Sequence, residues 1–365
     1  MDGMKENRTH GHGPREEANV STVQIVIPCY NYGRYLRGCV ASALSQEGVD
    51  VSVLIIDDCS SDDTVDVCRE LAESDPRISF IHHPVNKGHI ATYNEGLELV
   101  SADYVVLLSA DDLLTPGALR RAADLMDQHP SVGLVYGNPR MFQEEAPSDI
   151  KTKASGWTIW SGSEWVEMMC RAGSNFICCP EVVLRTSVQH RIGGYDPALP
   201  HSGDMEMWLR AASVSDVGRV KGADQACYRM HPLSMQRTVH SGMLFDLKAR
   251  LAAFASAFSK EAGNLPEAAH LYNLAKSALS RTAIRHVQQS IECGIELEAT
   301  PQAYEQFASS INPDLKSTVE WRSFERIRAR KRGHLRTWLA RKHASFQRRL
   351  AHYQWRRSGV HRSIQ

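Results

Sequence analysis

Between residues 23 and 136 the chain alternates short runs of β-branched and apolar residues with stretches of helical periodicity, and this rhythm restricts its fold more than any other feature. Runs at 23–28, 51–57, 78–81, 104–108 and 132–136 read as strands, and 34–45, 62–73, 89–100 and 116–128 as helices. Strands joined through helices predict an α/β fold with a Rossmann-like, mostly parallel sheet covered on both faces. Local signals agree: Asp62 and Asp63 begin one helix, Pro116 suits the first turn of another, and His129-Pro130 stops it before the next strand. In such sheets ligands bind beyond the carboxyl ends of the strands, so the residues just after each run are the informative ones.

The rhythm fails from about 139 to 180, where Trp157, Trp160 and Trp165 cluster among Ser and Gly; a loop-rich insertion is expected, with the tryptophans either packed or forming an acceptor platform. A second compact stretch runs from Glu181–Arg185 through Gly193-Gly194 to a helix at 205–212 and closes the catalytic domain near residue 240. Residues 243–300 are helical, and Leu335, Leu339, Phe346, Leu350 and Tyr353 make one stripe along a helix within 315–357. The expected organisation is a disordered lead over 1–20, a catalytic domain over 21–240 and a helical C-terminal region over 241–365.

Charge follows these divisions. The chain holds 42 Lys+Arg and 42 Asp+Glu, but residues 321–365 contain 14 of the former and one of the latter, leaving 28 and 41 for residues 1–320. An acidic body therefore carries a basic tail. Its amphipathic stretch 321–357, with Trp338 and Trp355 among arginines, either contacts anionic lipid peripherally or packs on the acidic body. No recognition motif for nucleic acid accompanies it, so none is expected as partner. No stretch approaches the roughly 20 apolar residues of a membrane-spanning helix, and residues 1–20 are polar instead of signal-like, which suggests the cytoplasm or the inner face of its membrane. The nine cysteines form no CxxC pair and are expected to be reduced.

Three strands finish in polar clusters: Cys29-Tyr30-Asn31, Asp57-Asp58, and Ser109-Ala110-Asp111-Asp112. Taken singly, such clusters cap helices. Together they bring several carboxylates to one sheet edge, where a hard cation such as Mg²⁺ or Mn²⁺ and the diphosphate it binds relieve their repulsion. A dinucleotide-dependent dehydrogenase is excluded because no GxGxxG follows a strand. A nucleotidyltransferase is disfavoured because Pro28-Cys29-Tyr30-Asn31 stands where its Gly-rich phosphate loop belongs.

The ordered set Ile27-Pro28-Cys29-Tyr30-Asn31, Gln46, Ile55-Ile56-Asp57-Asp58-Cys59-Ser60-Ser61-Asp62-Asp63-Thr64, Asn86-Lys87-Gly88, Ser109-Ala110-Asp111-Asp112, Gly193-Gly194-Tyr195-Asp196, Gly203-Asp204 and Trp208-Leu209-Arg210 resembles family 2 glycosyltransferases with the GT-A fold. The resemblance implies a metal-dependent, inverting transfer of sugar from a nucleoside-diphosphate sugar, UDP-sugar favoured, to a carbohydrate or lipid-linked acceptor. It places Pro28, Tyr30, Asn31, Asp57, Asp58, Asn86 and Lys87 around the nucleotide, with Tyr30 on the base and Asp58 accepting from it. Ser109 departs from the family's Asp-x-Asp, leaving Asp111 and Asp112 for ribose and metal, Asp112 as direct ligand. Asp204 stands at the general base, and Arg229 and His231 at the leaving diphosphate. A sugar-nucleotide-binding protein without transferase activity is the rival reading that Ser109 leaves open.

Overall fold

The computed structural model describes residues 20–231, 242–329 and 334–360, with side chains from 337 in the last segment. The expected lead over 1–20 lies outside them except for its last residue, as does the boundary near 240, and of Leu335 in the helical stripe only the backbone is described.

The sheet is built around β1 (Thr22–Cys29), whose parallel neighbours are β2 (Asp50–Asp57) on one side and β4 (Tyr104–Leu107) on the other, with β3 (Ile78–His82) beyond β2. The crossovers are α1 (Gly33–Leu44), α2 (Thr64–Ser74) and α3 (His89–Glu98). Val26, Ile27, Ile55 and Ile56 are fully buried because helices cover both faces of these strands, which accounts for their continuous apolar runs. Past β4 the sheet becomes mixed, and among the described residues five further strands join it. β8 (Val183–Arg185) runs antiparallel between β4 and β6 (Val132–Phe142), while β9 (Asp216–Arg229) is parallel to β6. β5 (Leu113–Leu114) and β7 (Gly156–Trp160) pair antiparallel with β9. Helix α4 (Ala118–Gln128) starts later than Pro116 suggests, since Gly117 at φ 71° turns the chain before the first helical residue.

About half of the stretch expected to be a loop-rich insertion is regular. β6 continues to Phe142, β7 follows, and α5 (Gly162–Ala172) begins with a Ser161/Glu164 capping box. Its tryptophans are packing residues: Trp165 is fully buried against Phe176, Trp160 stacks on Tyr136, and Trp157 meets His129 edge-on. None of the three lines the cavity at the strand ends.

α6 (Thr186–Ile192) and α7 (Gly203–Val214) bridge β8 and β9. After residue 242 come α8 (Met243–Phe258), α9 (Ala268–Cys293), α10 (Pro301–Ile311), α11 (Val319–Arg328) and α12 (His334–Ser358). α9 packs against α5, and α8 against α7. One apolar core runs without a break from Val26 and Val105 through Trp165 and Trp208 to Phe254, Ile284 and Phe324.

Candidate active site

Beyond the carboxyl ends of β1, β2 and β4 lies a cavity of about 610 Å³, within the range typical of small-molecule sites. Pro28, Tyr30, Asn31, Asp58, Asn86, Asp111, Asp112, Asp204, Arg229 and His231 all line it. Two expected donor residues do not. Asp57 is fully buried, its Oδ2 accepting from Ser60 N at 3.2 Å and meeting His82 Nδ1 at 2.8 Å, so it fixes the turn behind the cavity. Lys87 turns its ammonium to Glu95 at 2.7 Å and contributes only its backbone amide.

That amide and Gly88 N donate to the Asp58 carboxylate at 2.7 and 2.9 Å, and His83 Nδ1 stands 2.8 Å away. Burial alone raises the Asp58 pKa, but His83 and the two amides outweigh it and hold the group below the ordinary carboxylate range. Asn86 supports the same corner, donating to Asp58 O at 3.0 Å. Asn31 sits at φ 59°, a left-handed conformation that asparagine tolerates, with Oδ1 accepting from Ser61 N at 2.8 Å. Tyr30 projects beside it, about half exposed at the cavity mouth.

The turn after β4 carries the acidic pair. Asp112 Oδ1 accepts from Arg229 N at 2.7 Å, and Asp111 Oδ2 lies 3.1 Å from His231 Nε2. Burial raises both carboxyl pKa values, and the charge of Asp111 pushes Asp112 up further. Arg229 is sandwiched between Tyr35 and Phe142 at 4.5 and 4.3 Å and donates from Nε to Asp111 O at 3.0 Å. A divalent cation fits this corner: two buried like-charged oxygen ligands demand positive charge, and the buried His231 Nδ1 has no partner among the described residues. No group of three or more His, Cys, Asp or Glu side chains able to hold a metal occurs among them, so a cation held here would draw its remaining ligands from phosphate oxygens or water.

Asp204 enters from the opposite wall, in the first turn of α7. Desolvation raises its pKa above the usual range, partly offset by the Tyr195 hydroxyl and Cys179 thiol, with His89 and His201 acting in the same direction from further off. The loop before it is held firmly. Asn94 on α3 donates to Tyr195 O at 2.9 Å and accepts from Tyr195 N at 2.7 Å, and a Cβ on Gly194 would come within 2.3 Å of its Oδ1. Arg210 donates to Ile192 O, to Gly194 O at 2.7 Å and to both Glu206 oxygens at 2.9 and 2.8 Å. The Gly-Gly-Tyr-Asp and Trp-Leu-Arg motifs thus position Asp204 without lining a substrate path at Arg210. Gln46 does similar work across the cavity, donating to Thr115 O at 3.0 Å and accepting from Leu119 N at 3.3 Å behind the acidic turn.

Sequence reading missed the wall between Asp112 and Asp204. Cys178 and Cys179 line the cavity there, Cys179 at φ 93°, a strained geometry for a residue bearing a Cβ. Behind them Glu181 is buried, Oε1 accepting from Cys178 N at 2.9 Å and Oε2 without a partner among the described residues. Burial raises its pKa to about 7; two backbone amides lower it and nearby Asp204 raises it further. The only sequence signal was an acidic residue inside an otherwise apolar run.

Comparison with known proteins places this geometry. Residues 24–184 match the model of glycosyl transferase family 2. The chain is 30% identical over 209 residues to chondroitin synthase of Escherichia coli, covering 57% of this chain and 29% of that protein. To hyaluronan synthase of Pasteurella multocida it is 26% identical over 219 residues, covering 59% and 21%. The chain thus spans less than a third of the length of these relatives. S. aureus TarS 1-349 in complex with UDP-GlcNAc superposes with a TM-score of 0.61 at 16% identity, covering 84% of this chain and 87% of that one. The mannosyltransferase PcManGT from Pyrobaculum calidifontis, with GDP-Man and Mn²⁺, gives 0.53 at 16% identity, covering 86% and 85%. At these identities the structural likeness is one of fold. The α/β sheet is shared in fold with these GT-A glycosyltransferases, and residues 24–184, with the motifs in order, are the part of the chain that matches glycosyl transferase family 2.

Proposed function

We propose that the chain is an inverting glycosyltransferase that moves a sugar from a nucleoside-diphosphate sugar, UDP-sugar by preference, to a hydroxyl of a carbohydrate or lipid-linked acceptor in polysaccharide or glycolipid assembly. One observation carries the reading: Asp204 and the Asp111–Asp112 pair face one cavity that Tyr30, Asp58 and Asn86 also line. Tyr30 supplies a ring for the nucleobase, and Asp58, already ordered by two amides, accepts from its edge. Mn²⁺ or Mg²⁺ on Asp112 and Asp111, when bound, neutralises the diphosphate. The acceptor oxygen attacks the anomeric carbon as its bond to the diphosphate oxygen breaks, and the acceptor proton passes to Asp204. Its raised pKa makes Asp204 a stronger base than an exposed aspartate. Arg229, fixed by two aromatic rings, and His231 face the departing charge. Support for a UDP donor and a carbohydrate acceptor comes from the UDP-GlcNAc carried by the TarS neighbour and from the chondroitin and hyaluronan synthases among the relatives.

The test is Asp204→Asn, assayed for UDP release with an acceptor glycan and, separately, for donor binding. Turnover is expected to fall about 100- to 10,000-fold while donor affinity holds. Unchanged turnover removes Asp204 from the chemistry, and turnover of neither form with any donor of a nucleotide-sugar panel leaves a binding protein.

A further inference from the structure

The outer face of α12 is built unlike an ordinary solvated helix. Its inner side is fixed to the body: Trp355 Nε1 donates to Phe176 O at 2.9 Å and Arg341 Nε to Cys293 O at 2.7 Å. The Tyr136 hydroxyl donates to Gly359 O at 2.9 Å just past its end. These contacts set the helix's rotation and leave its other side no freedom to turn inward.

On that other side, at helical steps of four or three residues, stand Trp338, Lys342, Phe346, Arg349 and Tyr353, with Leu339 alongside. Trp338, Leu339, Phe346 and Tyr353 are exposed by 55%, 52%, 61% and 62%, four large apolar groups held in water along one helix. Between His334 and Ser358 the sequence has seven Lys+Arg and no Asp or Glu. A solvated face mixes both charges and keeps aromatics few. Tryptophan and tyrosine settle at the boundary between headgroups and acyl chains, while Lys and Arg gain from anionic headgroups. A second copy of the chain would set two cationic faces against each other, and nucleic acid leaves Leu339 and Phe346 without a partner.

We propose that the outer face of α12 docks on the surface of an anionic lipid bilayer, its aromatic side chains entering the headgroup layer and its Lys and Arg side chains pairing with phosphate. The contact is peripheral, since no helix among the described residues is long and apolar enough to cross a membrane. This goes beyond the proposed transfer reaction and stands or falls separately from it.

The full chain is mixed with vesicles of phosphatidylcholine alone or with one third phosphatidylglycerol, at low salt, and bound protein is separated by flotation. Binding to the anionic vesicles is expected, at least tenfold weaker on phosphatidylcholine alone. Lys342→Gln with Arg349→Gln should weaken it roughly 25-fold, about fivefold per cation. Phe346→Ser with Tyr353→Ser should weaken it at least tenfold. Both double variants keep the wild-type melting midpoint and sugar-nucleotide turnover, because all four side chains are exposed and none lines the cavity. Absence of wild-type binding, or variants that bind like wild type, overturns the proposal. So does a wild-type dimer in light scattering that the Phe346/Tyr353 variant converts to monomer without any vesicle binding, which makes the face an interface between copies.

Discussion

Glu181→Gln separates the electrostatic stress of the active-site wall from its packing. The Glu181 carboxyl is 2% exposed and its pKa stands at about 7 against an ordinary 4.5, so the folded state holds the proton more tightly than the unfolded chain. The sign follows: the stability this group contributes is complete below pH 4.5 and is lost as pH rises through 7. The full swing is about 3 kcal/mol, because each tenfold difference in proton affinity between the folded and unfolded states corresponds to about 1.36 kcal/mol. Between pH 5 and pH 8 about 2.5 kcal/mol of it is seen, because the unfolded glutamate is already mostly ionised at pH 5. Glutamine keeps the bond from Cys178 N and cannot ionise. Whatever its amide costs against the unpartnered side of the pocket is the same at both pH values and cancels in the difference. The assay is urea unfolding of both proteins, followed by tryptophan fluorescence in EDTA, at pH 5 and pH 8. The variant should gain about 2.5 kcal/mol on wild type between the two. Part of the gain arrives through Asp112, whose pKa the Glu181 charge also raises. A stability difference independent of pH would refute the buried, proton-holding carboxyl.

Three further outcomes follow from the site. The acid limb of kcat/KM should lie above the ordinary aspartate range, with activity lost as pH falls and Asp204 takes up a proton; a limb near pH 4 contradicts the desolvated base. Mn²⁺ with UDP should raise the melting midpoint of wild type and not that of Asp112→Asn, read by thermal shift; equal shifts would put the cation elsewhere. Arg210→Ala leaves the buried Glu206 carboxylate with Lys260 and Ser256 only and strips donors from the Ile192 and Gly194 carbonyls. It should cost about 3–5 kcal/mol in chemical unfolding, and a loss below 1 kcal/mol would show that the network does not hold the loop.

What was legible in the sequence was what local chemistry determines. The strands and helices between 22 and 136 follow from alternating periodicities, and the polar ends of β1, β2 and β4 converge because parallel strands put their carboxyl ends on one edge. Asp57 was misassigned for a related reason: as the last residue of β2 it is buried behind the turn, and only Asp58, just past the strand, lines the cavity. β9 was unreadable because Arg219, Asp224 and Gln225 break its apolar pattern. Their partners are remote in sequence: Arg219 donates to the carbonyls of Arg356 and Arg357 at 2.7 and 3.0 Å and to Asn138 at 3.0 Å, and Gln225 binds Arg121 and Ala118 O. β7 and α5 were a different kind of miss, since the Ser161/Glu164 capping box was present and was obscured by the surrounding Ser, Gly and Trp residues.

The helical region after 242 is bonded to the loop and helix that carry Asp204. Lys260 reaches Asp196 Oδ2 at 3.0 Å and Glu206 Oε1 at 2.8 Å, and Ser256 donates to the same two carboxylates at 2.8 and 3.0 Å, so α8 and the turn after it clamp the loop and helix that present Asp204. Leu247, Phe254 and Ala257 complete the same apolar core as Trp208 and Leu209. Burying a side chain of the size of Leu or Phe contributes about 1.5–3 kcal/mol, so removing Leu247 and Phe254 alone forfeits about 3–6 kcal/mol, a large share of the roughly 5–15 kcal/mol that holds a typical domain folded. A chain ending at residue 240 is therefore expected to lack a cooperative unfolding transition and to lose donor binding along with transfer. A soluble 21–240 fragment that melts cooperatively and binds UDP with wild-type affinity would show instead that the helices are an appendage, and that the clamp on Asp196 and Glu206 is dispensable for placing the base.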